Sequence, residues 1–160
     1  MNECSFYVGD YDQHLYLKLC GEITMRSVYP LKKFLKSLNL SNCKHILFDF
    51  RDTRHLDSTS LGTIAAAGLE YLRSCDRKLY FTNVSKELEE NFINLGFEPI
   101  AEIRAEMSIE IAEESLVPLP QEKGSVSGQE ILEAHRNLTN LNEKNKQIFK
   151  NVIELLEKEL

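Results

Sequence analysis

The chain has 160 residues, 42% hydrophobic and 28% charged, a composition that fits one folded domain with an appendage. Its formal net charge of −6 argues against nucleic acid as a partner, because phosphate binding needs a basic surface. No stretch of the sequence approaches the roughly 18 consecutive apolar residues of a membrane span. The first residues have neither the basic nor the apolar region of a secretory signal. We therefore expect a cytoplasmic protein with no membrane or nucleic-acid partner.

The N-terminal part of the chain has the pattern of two strands. Leu15, Leu17 and Leu19 alternate with polar or smaller residues, which predicts a strand with two unlike faces. Turn residues separate this strand from an earlier one, so residues 3–9 and 13–20 are expected to form an antiparallel pair.

Strands and helices are then predicted to alternate along the chain. The elements are a helix at 28–38, a buried strand at 45–50, a helix at 61–72, a strand at 79–84, a helix at 86–95 with Ser85 as N-cap, a strand at 97–103 and an acidic helix at 105–115. Between the strand at 45–50 and the next helix we expect a polar loop through Thr53, Arg54 and His55. Alternation of this kind predicts an α/β fold, a mixed sheet with helices packed on it.

The C-terminal part of the chain differs in composition and charge. Residues 117–128 are rich in Pro, Gly and Ser and are predicted to be a linker between a domain at 1–116 and a C-terminal segment. Residues 129–160 are predicted to form one long amphipathic helix that begins with the capping-box pair Ser127 and Glu130. Two interpretations remain open: the helix docks onto the preceding domain, or it pairs with a second copy or a partner's helix. Asn145, a polar residue in the apolar stripe, is of a kind that fixes register in paired helices.

The segment Asp57-Ser-Thr-Ser-Leu-Gly62 lies where a polar loop meets a predicted helix. If the helix begins near residues 57–59, the free amides and dipole at its N-terminus would tolerate an anion on Ser58. The simpler interpretation is that Asp57 and Ser58 only cap the helix. His55, Asp57 and Ser58 include the residue types of a hydrolase triad. They lie too close in sequence to point at one another in the required order, and no G-x-S-x-G segment is present.

This segment is similar to the Asp-Ser-Ser/Thr-Gly-Leu-Gly segment of anti-sigma factor antagonists with a STAS domain (sulfate transporter and anti-sigma antagonist). Further similarities occur in the same order as in that family, at Leu19–Thr24, Ile46–Asp49, Asn83-Val84 and Leu95–Phe97. The resemblance covers about residues 3–115. One residue departs from the pattern, because Ser60 occupies the position of the usual glycine. A serine here could change the backbone after Ser58 or offer the kinase a second hydroxyl.

The resemblance implies a STAS-like mixed sheet and a non-enzymatic binding protein that acts by partner switching. The unmodified protein would bind an anti-sigma factor or serine kinase, phosphorylation of Ser58 would end the binding, and a serine phosphatase would restore it. Thr59 is the nearest competing hydroxyl. The expected partner surface is the loop and helix start, with Arg54, His55, Asp57, Ser58, Thr59, Ser60 and Gly62. The alternative is a STAS scaffold subunit of a signalling or lipid-transport assembly that is not phosphorylated.

The cysteines, the other histidines and the glycines give no pattern that predicts a cofactor or a metal site. The four cysteines, at 4, 20, 43 and 75, form no C-x-x-C pair and are expected to be reduced thiols. His14, His45 and His135 have no neighbouring ligands in sequence and are expected to be surface residues or hydrogen-bonded core histidines. The glycines form no phosphate-binding loop.

Overall fold

The structure, a computed structural model, describes residues 4–104, 115–121 and 124–160. The strands are β1 (Ser5–Tyr11), β2 (His14–Ile23), β3 (His45–Asp49), β4 (Thr53–Leu56), β5 (Leu79–Thr82), β6 (Ala101–Arg104) and β7 (Val117–Pro118). The helices are α1 (Tyr29–Ser37), α2 (Ser58–Cys75), α3 (Lys86–Asn94), α4 (Gly128–Thr139), α5 (Glu143–Ile148) and α6 (Lys150–Glu159). A short 3-10 helix, Leu40–Asn42, precedes β3. The predicted acidic helix at 105–115 lies almost entirely outside the described residues.

The sheet is mixed, with the strand order β6-β5-β3-β2-β1-β7. β1 and β2 are antiparallel, as predicted, and β2, β3, β5 and β6 run parallel to their neighbours. The predicted fold class, a mixed β-sheet flanked by helices, is thus confirmed. In β2 the buried Leu15, Leu17 and Leu19 alternate with less buried residues, because neighbouring side chains of a strand point to opposite faces.

Strand β2 is long enough to pair with two strands along the same edge. Its first half pairs with β3, and its end, Gly21–Ile23, pairs with β4. The register shifts between Gly21 and Glu22, where Gly21 has a φ of 89° that a glycine adopts without strain. β4 includes Thr53, Arg54 and His55, so the prediction of a loop there was wrong. A strand of four residues with three polar members is too short to show a periodic pattern.

Helix α2 is covered on two sides. At Gly68 a Cβ atom would lie 2.8 Å from the Ile100 Cδ1 atom and 3.2 Å from the Leu79 Cδ1 atom, so the helix lies close to the sheet there. At Gly62 a Cβ atom would lie 2.2 Å from the Ala134 carbonyl oxygen, so α4 crosses α2 almost backbone to backbone. Gly68 therefore allows α2 to pack closely on the sheet, and Gly62 allows it to pack closely against α4.

The C-terminal segment differs from its prediction in two respects. Val117 and Pro118, predicted as linker, form β7 and pair with Val8 and Tyr7 of β1. The predicted single helix at 129–160 is three helices, because Asn140 ends α4 and Asn142 starts α5 by accepting a hydrogen bond from the Asn145 amide at 2.9 Å. Asn favours helix ends over helix interiors, since its side chain competes for backbone hydrogen bonds.

The segment docks onto the preceding residues, the first of the two interpretations left open. α4 packs on α2, and Leu132, Ala134, His135 and Leu138 are buried. The capping box of Ser127 and Glu130 forms as predicted. In the described residues, no helix has the length and apolar character needed to cross a membrane.

Candidate functional site

The start of α2 is fixed by the carboxylate of Asp57. This residue is the N-cap: its Oδ1 atom accepts a hydrogen bond from the Ser60 amide at 2.8 Å, which satisfies a donor that the helix leaves unpaired. Its Oδ2 atom accepts a second bond from the Met25 amide at 2.7 Å. Asp57 therefore joins the loop after β2 to the first turn of α2. The helix thus begins before the predicted 61–72, and the condition under which Ser58 lies at a helix N-terminus is met.

Ser60, at the position of the family glycine, is fully buried and has a structural contact. Its hydroxyl donates a hydrogen bond to the Ile23 carbonyl oxygen at 2.9 Å. The Asp57 amide donates to the same carbonyl at 3.1 Å. The serine therefore ties the end of β2 to α2, and the helix begins regularly despite the change from glycine. Thr59 is also buried, with 3% of its surface exposed.

Ser58 is the first residue of α2, and its side chain is half-buried. Its hydroxyl oxygen lies 2.8 Å from the Nε2 atom of His135, on α4. The other ring nitrogen, Nδ1, lies 2.7 Å from the Ile131 carbonyl oxygen, and because a carbonyl can only accept, Nδ1 carries a proton. In the neutral ring Nε2 then accepts the Ser58 hydroxyl proton. Ser58 and His135 thus join α2 directly to α4.

The structure brings only part of the predicted partner surface together. Arg54 and His55 are exposed on β4, just before the helix. Gly62 is one turn further along α2 than Ser58 and lies beneath the backbone of Ala134. The predicted surface is therefore divided into an exposed part on β4 and a part that α4 covers. Thr59 and Ser60, predicted as members of this surface, are buried in the first turn of α2.

His135 was not predicted as a member of this site. Its contact with Ser58 spans 77 positions, and local patterns do not reveal such contacts. One signal was available: His135 lies four residues after Ile131 and three before Leu138, on the stripe that α4 buries. A histidine in such a stripe needs hydrogen-bond partners, and here they are the Ile131 carbonyl and the Ser58 hydroxyl. The expectation of a hydrogen-bonded core histidine is confirmed for His135.

An ionic contact holds the start of α4 against α1. The Glu130 carboxylate lies 3.1 Å from the Lys32 ammonium nitrogen and 4.0 Å from that of Lys36. The same carboxylate accepts the Ser127 amide at 3.1 Å. The bond from that amide, with help from Lys32, holds the pKa of Glu130 below its ordinary value, against the opposing effect of burial. Glu130 therefore makes two contacts, a hydrogen bond at the start of α4 and an ion pair with α1.

The histidines at the opposite end of the parallel strands form a separate cluster. The His14 and His45 rings stack with centroids 4.7 Å apart, and their Nδ1 atoms are 2.7 Å apart. Burial and the neighbouring His14 lower the pKa of His45. The cluster lies where β2 and β3 begin, whereas Ser58 follows the end of β4. It is therefore not part of the Ser58 site.

Comparison with known proteins identifies the family. The STAS domain family model matches residues 8–109, so the chain belongs to the STAS domain family, as its resemblance implied. No curated protein matches the sequence.

Among solved structures, the chain is similar to that described as "Structure of the Anti-Sigma Factor Antagonist SpoIIAA in its Unphosphorylated Form". The TM-score is 0.53 at 16% sequence identity, and the match covers 66% of this chain and 92% of the other. At this identity the similarity concerns the fold, which is the STAS fold with C-terminal helices added.

Proposed function

We propose that this protein is an anti-sigma factor antagonist that acts by partner switching, with binding controlled by reversible phosphorylation of Ser58. The observation that carries the proposal is the position of Ser58 as the first residue of α2, directly after the Asp57 N-cap. The STAS family and the fold similarity to SpoIIAA support the same function. Its partners would be an anti-sigma factor or serine kinase and a serine phosphatase, in the cytoplasm, and it would need no cofactor.

The chemistry of the site explains how one phosphate can control binding. A phosphoserine has about −1.5 to −2 charges, and a helix N-terminus accommodates an anion without unfolding. The Asp57 carboxylate beside it adds negative charge to the same turn. A partner that docks on this surface through acidic or apolar groups would then meet like charge or buried unpaired charge, which costs several kcal/mol. The proposed partner surface comprises Arg54, His55, Asp57, Ser58 and Gly62, while Thr59 and Ser60, which are buried, support it from below.

The decisive experiment compares Ser58 variants of the full chain in pull-downs from extract of the native cell. Ser58→Ala and the unmodified protein should capture the anti-sigma factor or kinase, identified by mass spectrometry. Ser58→Asp and a protein with phosphoserine at position 58 should capture much less. Ser74→Asp, which adds charge at an exposed position of the same helix, is the matched control and should bind like the wild type. Equal capture by all five proteins would contradict the proposal.

One observation favours a second candidate function, a STAS scaffold subunit that is not phosphorylated. The Ser58 hydroxyl is engaged by His135 and is only half-exposed, as would suit a structural residue. Incubation with ATP and native cell extract, followed by mass spectrometry, separates the two functions. The scaffold predicts no phosphate on Ser58, whereas the antagonist predicts phosphate there and none on the buried Thr59 and Ser60.

A further inference from the structure

The surface of α2 that bears Ser58 and Gly62 is occupied by α4 of the same chain. His135 contacts the Ser58 hydroxyl at 2.8 Å, and Ala134 lies over Gly62. Because Gly62 has no side chain, the two helix backbones approach as closely as packed helices can. A surface of this shape accepts a helix that has a small residue at the crossing point, as α4 has Ala134.

The charges around this surface match those of α4. Lys32 and Lys36 of α1 lie beside it, and Glu130 of α4 lies within 3.1 Å and 4.0 Å of their ammonium nitrogens. The occupant is therefore an amphipathic helix with a carboxylate in its first turn, buried apolar residues and a small residue at Gly62. A partner's helix with the same pattern would fit the same surface once α4 has left it.

The contact of α4 with α1 and α2 is open to solvent along one side. A surface pocket of about 140 Å³ lies between the three helices, lined by Lys32, Leu35, Ala66, Ala67 and Asn137 among others. Atoms that line such a pocket have packing partners on one side only. An element docked this way is expected to open locally at lower cost than the sheet beneath it.

The Ser58–His135 contact makes modification and docking incompatible. Phosphoryl transfer from ATP forms a bond from the Ser58 Oγ atom to phosphorus, breaks the bond to the departing ADP oxygen and passes the hydroxyl proton to a base of the kinase. With α4 docked, Oγ lies at hydrogen-bond distance from the Nε2 atom of His135, a residue that is 4% exposed, so a phosphoryl group on that side of Oγ would collide with the ring. A kinase can therefore act only after His135 moves away.

We propose that α4 is a detachable cover of the partner surface on α2, so that the form with α4 undocked is the one that both a partner helix and a kinase recognise. The proposal rests on the function proposed above. Docking of α4 lowers the apparent affinity of the partner in proportion to the fraction of molecules that are covered. It lowers the rate of Ser58 phosphorylation for the same reason.

Hydrogen–deuterium exchange of the full chain tests the cover without any partner. Ala134→Leu adds bulk on α4 at the crossing with Gly62 and leaves the α2 surface unchanged. We expect amides of residues 128–139 to exchange about tenfold faster or more, since overpacking a close contact is strongly unfavourable, while those of β2 and β3 are unchanged. Gln129→Leu adds the same side chain at an exposed position of α4 and should leave exchange as in the wild type. Equal exchange in both variants would overturn the cover.

Phosphoserine installed at position 58 by genetic code expansion gives a second test. It should speed exchange of residues 128–139 in the same way, because phosphate and docked α4 exclude each other. Phosphoserine at the exposed Ser41 is the control and should have no effect. Unchanged or slower exchange in α4 would show that the phosphate is accommodated beside His135 and would overturn the proposal. A solution mass of two chains, with α4 exchanged between copies, would also overturn it.

The partner measurement separates this proposal from the one on which it rests. If the partner binds, Ala134→Leu should bind it more tightly than the wild type does, and Gln129→Leu should bind it as the wild type does. If Ala134→Leu binds no more tightly than the wild type, α4 does not compete with the partner and the proposal is overturned. If no variant binds any anti-sigma factor or kinase, the proposed function fails. The exchange results then still decide whether α4 opens and whether phosphate displaces it.

Discussion

Asn145 and Leu95 are joined by a hydrogen bond across 50 positions of the chain. The Asn145 Nδ2 atom donates to the Leu95 carbonyl oxygen at 2.8 Å and also to the Leu138 carbonyl at 2.7 Å. Asn145 is fully buried, and its Oδ1 atom has no hydrogen-bond partner within the described part of the chain. The residue of a kind that fixes register between paired helices instead links α5 to the ends of α3 and α4.

Replacement of Asn145 should destabilise the protein chiefly through the Leu95 carbonyl. Asn145→Leu removes one hydrogen bond from each carbonyl, but the Leu138 carbonyl still accepts the Leu141 amide at 3.1 Å. A buried carbonyl left unsatisfied costs about 1–3 kcal/mol. Loss of the unpaired Oδ1 atom recovers part of that cost. We expect a net decrease of about 1–3 kcal/mol in the free energy of unfolding, measured by urea titration. Asn151→Leu, at an exposed position of α6, is the control. A decrease no larger than that of the control would show that the two bonds contribute little.

Gly62→Ala should weaken the docking of α4 although alanine is the better helix former. The new Cβ atom would lie 2.2 Å from the Ala134 carbonyl oxygen, a backbone atom that cannot rotate away. Gly68→Ala on the same helix meets side-chain atoms of Ile100 and Leu79, which can shift. Exchange of the α4 amides should therefore rise in Gly62→Ala and not in Gly68→Ala. Faster exchange in Gly68→Ala than in Gly62→Ala would show that α4 does not pack closely against Gly62.

Ser60→Gly, which restores the residue usual in the family, should destabilise this chain. The change removes the buried hydrogen bond to the Ile23 carbonyl and adds glycine to the first turn of a helix. The expected loss is about 1–3 kcal/mol, combining one buried bond and part of the lower helix propensity of glycine. Ser60→Ala removes only the bond and should lose less, as measured by thermal unfolding. A more stable Ser60→Gly would indicate strain at this position.

Acidification should destabilise the fold through His45. Its folded-state pKa is lowered, so the folded state binds the proton less readily than the unfolded state does. Its contribution is complete above the ordinary value of 6.5 and is lost as the pH falls through that value toward the lowered folded pKa. Arg77, Arg104 and Lys44 act in the same direction as burial and His14.

The measurement is the midpoint of urea unfolding between pH 7.5 and 5. His45→Gln should reduce its dependence on pH, because the substituted side chain does not titrate. The control is the exposed His55, for which we expect His55→Gln to follow the wild type. If the midpoint of His45→Gln depends on pH as strongly as that of the wild type, other groups cause the pH dependence.

The sequence predicted those features that depend on neighbouring residues. The alternation of Leu15, Leu17 and Leu19 marked β2, and the side chains of Asp57 and Ser85 marked the starts of α2 and α3. The start of α2 placed Ser58 correctly at a helix N-terminus, where its role in binding stays a prediction.

What the sequence did not predict depends on contacts between distant residues. β4 forms because the end of β2 offers it an edge, and the Ser58–His135 bond forms because α4 crosses α2 at Gly62. The apolar stripe of 129–160 showed which residues would be buried but not against what. It also did not show that Asn140 and Asn142 divide the helix.

The pairing of β7 with β1 keeps α4 close to its binding surface even when it is undocked. Val117 and Pro118 hold the chain to the edge of the sheet, and only residues 119–127 separate them from α4. A segment on so short a connection competes at an effective concentration on the order of millimolar. A free peptide copied from a partner's helix would therefore compete poorly with α4. A folded partner that also contacts Arg54 and His55 would bind at two places and compete better.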